Sequence, residues 1–189
     1  MIEAARSSLG EKLPNFIPGH PIAGAEKSGV LASRTELFDG KKVVLTPLPE
    51  TRTEAVDRAE SFWRACGAQV SAMTPEAHDL IFAATSHLPH VLAYALVEEL
   101  ACRPNAEQLF SFAAGGFRDF SRIAGSSPEM WRDICLANRP AMLQELDAYI
   151  NRLAQIRGLI ADGDGAALAK VFEHARNART AWANNHSKK

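Results

Sequence analysis

The first third of the chain alternates short apolar runs with a single amphipathic helix. The helix is predicted from about Thr53 to Cys66, where apolar residues recur every three or four positions, and Gly67 suits its left-handed end. The other runs have the length and apolar content of strands. They are "NFIPG" (15–19), "KKVVLTPLP" (41–49) and "AQVSAM" (68–73). Residues 1–73 are therefore predicted to form an α/β layer in the order strand, strand, helix, strand.

From Thr74 onward only helical periodicity is found. Thr74 can cap a helix and Pro75 suits its first turn, and the apolar spacing continues through Leu100. Pro89 is predicted to kink this long helix, because proline has no N–H and its ring clashes with the preceding turn. Further helices are predicted at about 105–114, 117–124, 128–138, 140–161 and 164–184. The pattern thus predicts two domains, an α/β part at 1–73 and an all-helical part at 74–189.

Charge and cysteine content narrow the class of partner and the compartment. The 21 Lys and Arg residues balance 22 Asp and Glu residues, which disfavours binding to nucleic acid or to an anionic membrane and favours a small molecule or a protein. Three widely spaced cysteines match neither a disulfide framework nor a zinc ribbon. Neither a secretory leader nor an uninterrupted apolar run of about 18 residues is recognised. A cytoplasmic protein is expected.

His20 follows the first predicted strand. In open α/β sheets, ligands bind at the carboxyl ends of strands, and an imidazole there can take up a proton near neutral pH. His20 is therefore a candidate catalytic base. The alternative is a histidine whose hydrogen bonds are satisfied by the backbone of its own turn.

Three more histidines, His78, His87 and His90, lie along the long helix. His87 and His90, in "SHLPH", share a helix face, which raises the possibility of a metal site. A metal is not predicted, because no carboxylate or cysteine stands at ligand spacing and His78 is nine residues from His87. A polar substrate pocket at the proline kink is favoured, and a half-buried structural pair is the alternative.

The segment "AAGGFRDFSRIAGSSPEMWRDI" (113–134) contains the most informative arginine. Arg122 stands between Phe120 and Ile123, where it is expected to be partly desolvated and to need an anionic partner. Its planar guanidinium matches a carboxylate in a bidentate pair, as a substrate would offer. An ion pair with Asp119, three residues earlier, is equally compatible with the spacing.

Four segments together resemble the prephenate dehydrogenase family, including its cyclohexadienyl members. The resemblance runs from about residue 2 to residue 160 in the family's order. The segments are "GHPIAGAEKSGV", "LFDGKKVVLTPLPET", "AHDLIFAATSHLPHVLAYAL" and "AAGGFRDFSRIAGSSPEMWRDI". The resemblance implies a Rossmann-type domain followed by a helical domain that forms a homodimer. It also implies oxidation of prephenate or arogenate by NAD or NADP, with loss of the ring carboxylate as CO2.

The resemblance also implies roles for individual residues. His20 matches the catalytic histidine that accepts the proton of the ring hydroxyl, and Arg122 matches the arginine that binds a substrate carboxylate. The remaining matches are residues in or around the substrate pocket. These are Glu26, His78, His87, His90, Gly115, Asp119 and Trp131.

One element of the family is missing from the sequence. The chain has no G-x-G-x-x-G turn, on which binding of a dinucleotide pyrophosphate depends. An N-terminally truncated member is therefore expected, in which residues 1–73 are the C-terminal remnant of a Rossmann-type domain and the cofactor-binding residues are unknown. Two classes of function stay open. The chain is either the larger, catalytic part of the dehydrogenase, or it is a non-catalytic helical dimerisation module or one half of a split enzyme.

Overall fold

The structure is a computed structural model that describes residues 1–24 and 29–186. The chain forms two compact units, 1–141 and 142–189. The first unit contains a small sheet and most of the helices, and the second contains most of one long helix and all of another. The protein is thus mostly helical, with its strands confined to the first part of the chain, as the sequence pattern predicts.

The sheet has three strands in the order β1–β2–β3. Strand β2 is parallel to β3 and antiparallel to β1. The elements of this region are α1 (Ile2–Leu9), a 3₁₀ helix (Gly10–Asn15), β1 (Gly19–Ile22), a 3₁₀ turn (Val30–Ala32), β2 (Lys42–Leu45), α2 (Thr53–Ala65) and β3 (Gln69–Ala72).

The first strand is not where the apolar pattern places it. The prediction was 15–19, with His20 beyond the strand's end, whereas β1 is Gly19–Ile22 and contains His20 opposite Val44. The apolar run before it has a different role, since Ile17 packs against the core. Because β1 is antiparallel to β2, its first residues lie beside the carboxyl end of β2. His20 therefore reaches that edge of the sheet at the start of its strand.

The core of the sheet is formed by Val43, Leu45 and Ala68. Helix α2 covers it with Ala59 and Trp63, whereas Phe62 of the same helix is 61% exposed. Gly67 ends α2 with φ 84°, and a Cβ at this position would lie 2.9 Å from Asp39 Oδ1. The predicted left-handed helix end is confirmed, and glycine is required there.

The long helix begins as predicted but is not simply kinked. Thr74 Oγ1 accepts a hydrogen bond from Ala77 N at 3.2 Å, which caps α3 (Pro75–Phe82). A π turn (Ala83–His87) then leads into α4 (Leu88–Ala101). Because Pro89 has no N–H to donate to the preceding turn, the helix widens in that turn and continues.

The rest of the described chain is helical. Helix α4 contacts α5, α6 and the 3₁₀ turn that follows α6. The elements are α5 (Ala106–Ser111), α6 (Gly115–Ser121), the 3₁₀ turn (Arg122–Gly125), α7 (Pro128–Ala137), α8 (Arg139–Ala161) and α9 (Gly165–His186). Among the residues placed by the structure, one helical span, Pro75–Ala101, is long and apolar enough to cross a membrane by length and mean hydropathy alone.

Candidate active site

Two elements converge at the carboxyl edge of the sheet. The start of β1 lies there, and a connection of two residues leads from the end of parallel strand β3 to α3, which brings His78 close to His20. His20 Nδ1 and His78 Nε2 are 2.9 Å apart. The Phe82 ring packs against both imidazoles, at centroid distances of 4.9 Å from His20 and 4.6 Å from His78. The structure thus assembles two of the predicted site residues into one hydrogen-bonded pair.

Two residues that the sequence did not single out extend this pair. His78 Nδ1 lies 2.9 Å from Asp79 Oδ1. The amide of Asn138, at the end of α7, donates to the backbone oxygen of Asp79 at 2.8 Å and lies 3.4 Å from His87 Nδ1. Asp79 could have been noticed as the neighbour of His78. Asn138 could not, because it is far away along the chain.

The π turn explains why histidines nine residues apart can serve one cluster. In a regular helix, nine residues turn through about 900°, which places His78 and His87 on opposite faces. A π turn accommodates about one extra residue, so the offset falls to about 80°. The proximity of these side chains is reflected in the pKa of His87, which burial and then the charges of His78 and His20 lower.

His90 lies on the side of α4 that faces α7. Its ring stacks on Trp131 with the centroids 3.6 Å apart, and its Nδ1–H donates to Ser86 O at 2.9 Å. Trp131 is 8% exposed, and its Nε1–H has no hydrogen-bond partner within the described part of the chain. This donor and the free Nε2 edge of His90 provide polar groups for a ligand.

Arg122 begins the 3₁₀ turn after α6, and its positive charge contributes to lowering the pKa of His90. The hydroxyl of Tyr94 donates to Ser126 O at 2.7 Å, which fastens this turn to α4. Arg122 is exposed. Its sequence neighbour Phe120 is 45% exposed.

The other predicted site residues are placed as follows. Gly115 is the first residue of α6 and is exposed. Asp119 lies on the same helix, and its carboxylate forms an ion pair with Arg118 at 3.5 Å. Glu26 lies outside the described residues. Within 1–24 and 29–186, no group of three His, Cys, Asp or Glu side chains is arranged to hold a metal ion.

The pKa values of three histidines are lowered from the ordinary value. Burial is the largest cause for His20, His87 and His90, and the neighbouring charge of His78 lowers the pKa of His20 further. A lowered pKa keeps an imidazole neutral at neutral pH. His20 is therefore in the state that can accept a proton.

These shifts predict that the protein loses stability on mild acidification. The unfolded histidines take up protons near their ordinary pKa of about 6.5, before the folded ones do. The free energy of unfolding should therefore fall as the pH drops from about 6.5 through the lower pKa values of the folded state. Urea unfolding between pH 8 and pH 5 measures this, and His87→Asn should reduce the slope. Equal stability across this range would contradict the prediction.

A cavity of about 500 Å³ lies beside the start of α3, and Arg6, Thr74 and Asp79 are among its lining residues. A second cavity, of about 780 Å³, is lined by residues that include Arg52, Arg58 and Trp63 of the α2 region and by no predicted site residue. Within the described part of the chain, no predicted site residue lines the smaller cavity either.

Comparison with known families gives two adjoining matches. Residues 1–72 match the family model for the prephenate dehydrogenase nucleotide-binding domain, and residues 74–174 match the model for its dimerisation domain. Together these matches cover most of the chain.

Curated relatives and solved structures agree with these matches. The cyclohexadienyl dehydrogenase of Zymomonas mobilis is 39% identical over 183 residues, which are 95% of this chain and 62% of that protein. The prephenate dehydrogenase of Bacillus subtilis is 39% identical over 165 residues, 87% of this chain and 44% of that protein. The Aquifex aeolicus prephenate dehydrogenase, solved with hydroxyphenyl propionate and NAD+, has a TM-score of 0.82 and 40% identity over 87% of this chain and 58% of that chain. The chain thus spans only part of the length of these proteins.

Proposed function

The chain belongs to the prephenate dehydrogenase family, and we propose that it supplies the catalytic base and the substrate-binding groups for the oxidative decarboxylation of prephenate or arogenate. The observation that carries this proposal is the contact of 2.9 Å between His20 Nδ1 and His78 Nε2 at the carboxyl edge of the sheet, where burial and then the charge of His78 lower the pKa of His20. A positioned imidazole that is neutral at neutral pH can accept a hydroxyl proton as a general base.

In this reaction His20 takes the proton of the ring hydroxyl as the carbon that bears it is oxidised. Arg122 binds a carboxylate of the substrate, because the planar fork of a guanidinium matches a carboxylate in a bidentate pair. The family resemblance supports seven further residues as part of the substrate site, of which Glu26 lies outside the described residues: His78, His87, His90, Trp131, Gly115, Asp119 and Glu26. Loss of the ring carboxylate as CO2 then leaves an aromatic product.

NAD or NADP is proposed as the cofactor of the whole protein. The family model for residues 1–72 and the NAD+ in the Aquifex aeolicus structure support this. The described residues do not fit the pyrophosphate of a dinucleotide, because the connections from β2 to α2 and from β3 to α3 contain no glycine turn. No catalytic step is therefore assigned to the cofactor.

The test compares the 189-residue chain with a chimera. We expect the chain alone to bind NAD no tighter than about millimolar and to lack turnover, since it has no pyrophosphate turn. We expect turnover when it is joined to the part of the Zymomonas mobilis relative that it does not match. The assays are calorimetric titration with NAD and prephenate-dependent absorbance of NADH.

Two outcomes would contradict these expectations. Micromolar binding of NAD by the chain alone would mean that it contains a nucleotide site of another kind. A folded chimera that binds NAD without turning over prephenate or arogenate would reject the proposed catalysis. That second result would favour the alternative of a non-catalytic dimerisation module, whereas activity restored by a separate nucleotide-binding polypeptide would favour a split enzyme.

Residues 1–73 are proposed as the C-terminal remnant of a Rossmann-type domain, and 74–189 as the substrate-binding and dimerisation domain. The boundary between the two family matches, at 72 and 74, supports this division. A cytoplasmic location, without nucleic-acid or membrane binding, is also proposed. The balanced charge and the packing of α4 against α5, α6 and the 3₁₀ turn support it.

We further propose a homodimer formed by the helical domain. The long helices α8 and α9 expose large apolar side chains, and such surfaces commonly bind a partner. These side chains are Leu143, Ile150, Leu153, Ile160, Phe172 and Trp182. The description of the family model for 74–174 as a dimerisation domain also supports the proposal.

The dimer is expected in sedimentation at tens of micromolar, with twice the chain mass of 20.5 kDa. Ile150→Glu should weaken it, because a charge would be buried in an apolar interface. Asn151→Glu adds the same charge at the adjacent polar position and is the matched control. A monomeric wild-type chain at this concentration would contradict the proposal.

A further inference from the structure

Two hydrogen bonds connect a carboxylate on α3 to the imidazole on β1. Asp79 Oδ1 lies 2.9 Å from His78 Nδ1, and His78 Nε2 lies 2.9 Å from His20 Nδ1. The three groups thus form a chain in the order carboxylate, imidazole, imidazole. His20 Nε2 is the nitrogen at its end.

The chemistry of the groups determines where the protons lie. An ionised carboxylate only accepts hydrogen bonds, so His78 Nδ1 carries the hydrogen that is donated to Asp79. In neutral His78, Nε2 is then an acceptor, and His20 Nδ1 must donate to it. Neutral His20 has one N–H, so its Nε2 carries the free lone pair.

We propose that Asp79 and His78 are positioning residues that hold His20 as its Nδ1–H tautomer, with Nε2 available to take the substrate's hydroxyl proton. This inference rests on the proposed role of His20 as the base. The opposite tautomer would present an N–H to the hydroxyl and could not accept the proton. When the proton moves from the hydroxyl oxygen to His20 Nε2, the imidazolium formed still donates from Nδ1 to His78.

The surrounding packing holds this arrangement in place. Phe82 lies against both rings, at 4.9 Å and 4.6 Å between centroids, which restricts rotation of either imidazole. Asn138 donates to the backbone oxygen of Asp79 at 2.8 Å and so ties the start of the chain of bonds to α7. Burial lowers the pKa of the neighbouring His87, and the charges of His78, His20 and Asp79 also act on it. Partners of a functional histidine commonly fix its tautomer and orientation in this way.

The tautomer can be measured without turnover, using the 189-residue chain itself. Long-range ¹H–¹⁵N correlation spectra at pH 8 distinguish the protonated from the bare ring nitrogen of each histidine. We expect wild-type His20 to be protonated at Nδ1. His78→Phe retains a ring against Phe82 but removes the acceptor, so His20 should change to mainly Nε2–H.

Asp79→Ala provides a second route to the same readout. It leaves His78 free to reverse its tautomer, so His20 should become a mixture of both forms. Asp133→Ala is the matched control, because Asp133 is also an exposed carboxylate bonded to its neighbour in the sequence, Arg132, at 2.8 Å. This control should leave the spectrum of His20 unchanged.

In the chimera, His78→Phe should lower kcat about 10- to 100-fold, with KM within about threefold, as for other residues that orient a functional histidine. Wild-type His20 protonated at Nε2, or a tautomer unchanged in both variants, would overturn the inference. The spectra of the chain alone are independent of turnover. An inactive chimera would therefore count against the proposed function, while the spectra decide the inference.

Discussion

Replacing His20 by asparagine is expected to lower kcat about 10²- to 10⁴-fold and to leave KM within about threefold. Asparagine is close in size and can still donate to His78 Nε2, so the start of β1 should keep its structure. It cannot take up the proton of the hydroxyl. The loss should therefore appear in the chemical step, while the carboxylates of the substrate still bind.

The measurement is steady-state kinetics of the chimera with prephenate and with arogenate. His174→Asn, on the exposed surface of α9, makes the same change of residue away from the site and serves as control. If the His20→Asn variant kept activity within about threefold of the wild type, His20 would have a structural role. The alternative of a histidine satisfied by its surroundings would then be correct.

Replacing Arg122 by alanine is expected to raise KM by about 30-fold or more. Loss of a charge-assisted bidentate contact to a carboxylate costs about 2 to 5 kcal/mol, and about 2 kcal/mol corresponds to this factor. Arg122→Lys should restore only part of the affinity, because an ammonium group cannot present two parallel donors. The fold should be retained, since Arg122 is exposed.

Arg118→Ala is the matched control for Arg122, because Arg118 lies on the adjoining helix α6 and pairs with Asp119 at 3.5 Å. Its replacement should change KM little. A structural ion pair of Arg122 predicts a different result, namely a lower melting temperature of the Arg122→Ala variant with KM unchanged. Thermal unfolding and kinetics of the same variants therefore separate the two interpretations.

Local signals in the sequence were sufficient for much of the helical structure. Thr74 and Ser127 cap helices as their positions indicate, with bonds of 3.2 Å from Ala77 N and Met130 N. Gly67 ends α2 in the left-handed region. These features depend on residues within one helical turn of each other, so their physical cause is contained in a short stretch of sequence.

The sequence also identified four histidines as candidate residues, namely His20, His78, His87 and His90. It did not predict how their side chains are arranged relative to one another. The predicted strand 15–19 was wrong because apolar periodicity does not distinguish a strand from a buried segment that leads into one. Nothing in the sequence indicated the π turn (Ala83–His87) that precedes Pro89. That one-residue change in helical register alters which histidines can serve the same cluster.

The sequence by itself determined the mixed strand and helix character of the first part, the helical character of the rest, the helix ends at Gly67 and Thr74, and the residue types available for chemistry. Only the tertiary structure decided that β1 runs antiparallel to β2, and that this places His20 against His78 and Asp79. It also brought Asn138 to the backbone of Asp79 across 59 positions of the chain. The physical reason is that hydrogen bonds between distant segments depend on how whole elements pack, whereas helix caps and periodicity depend on near neighbours.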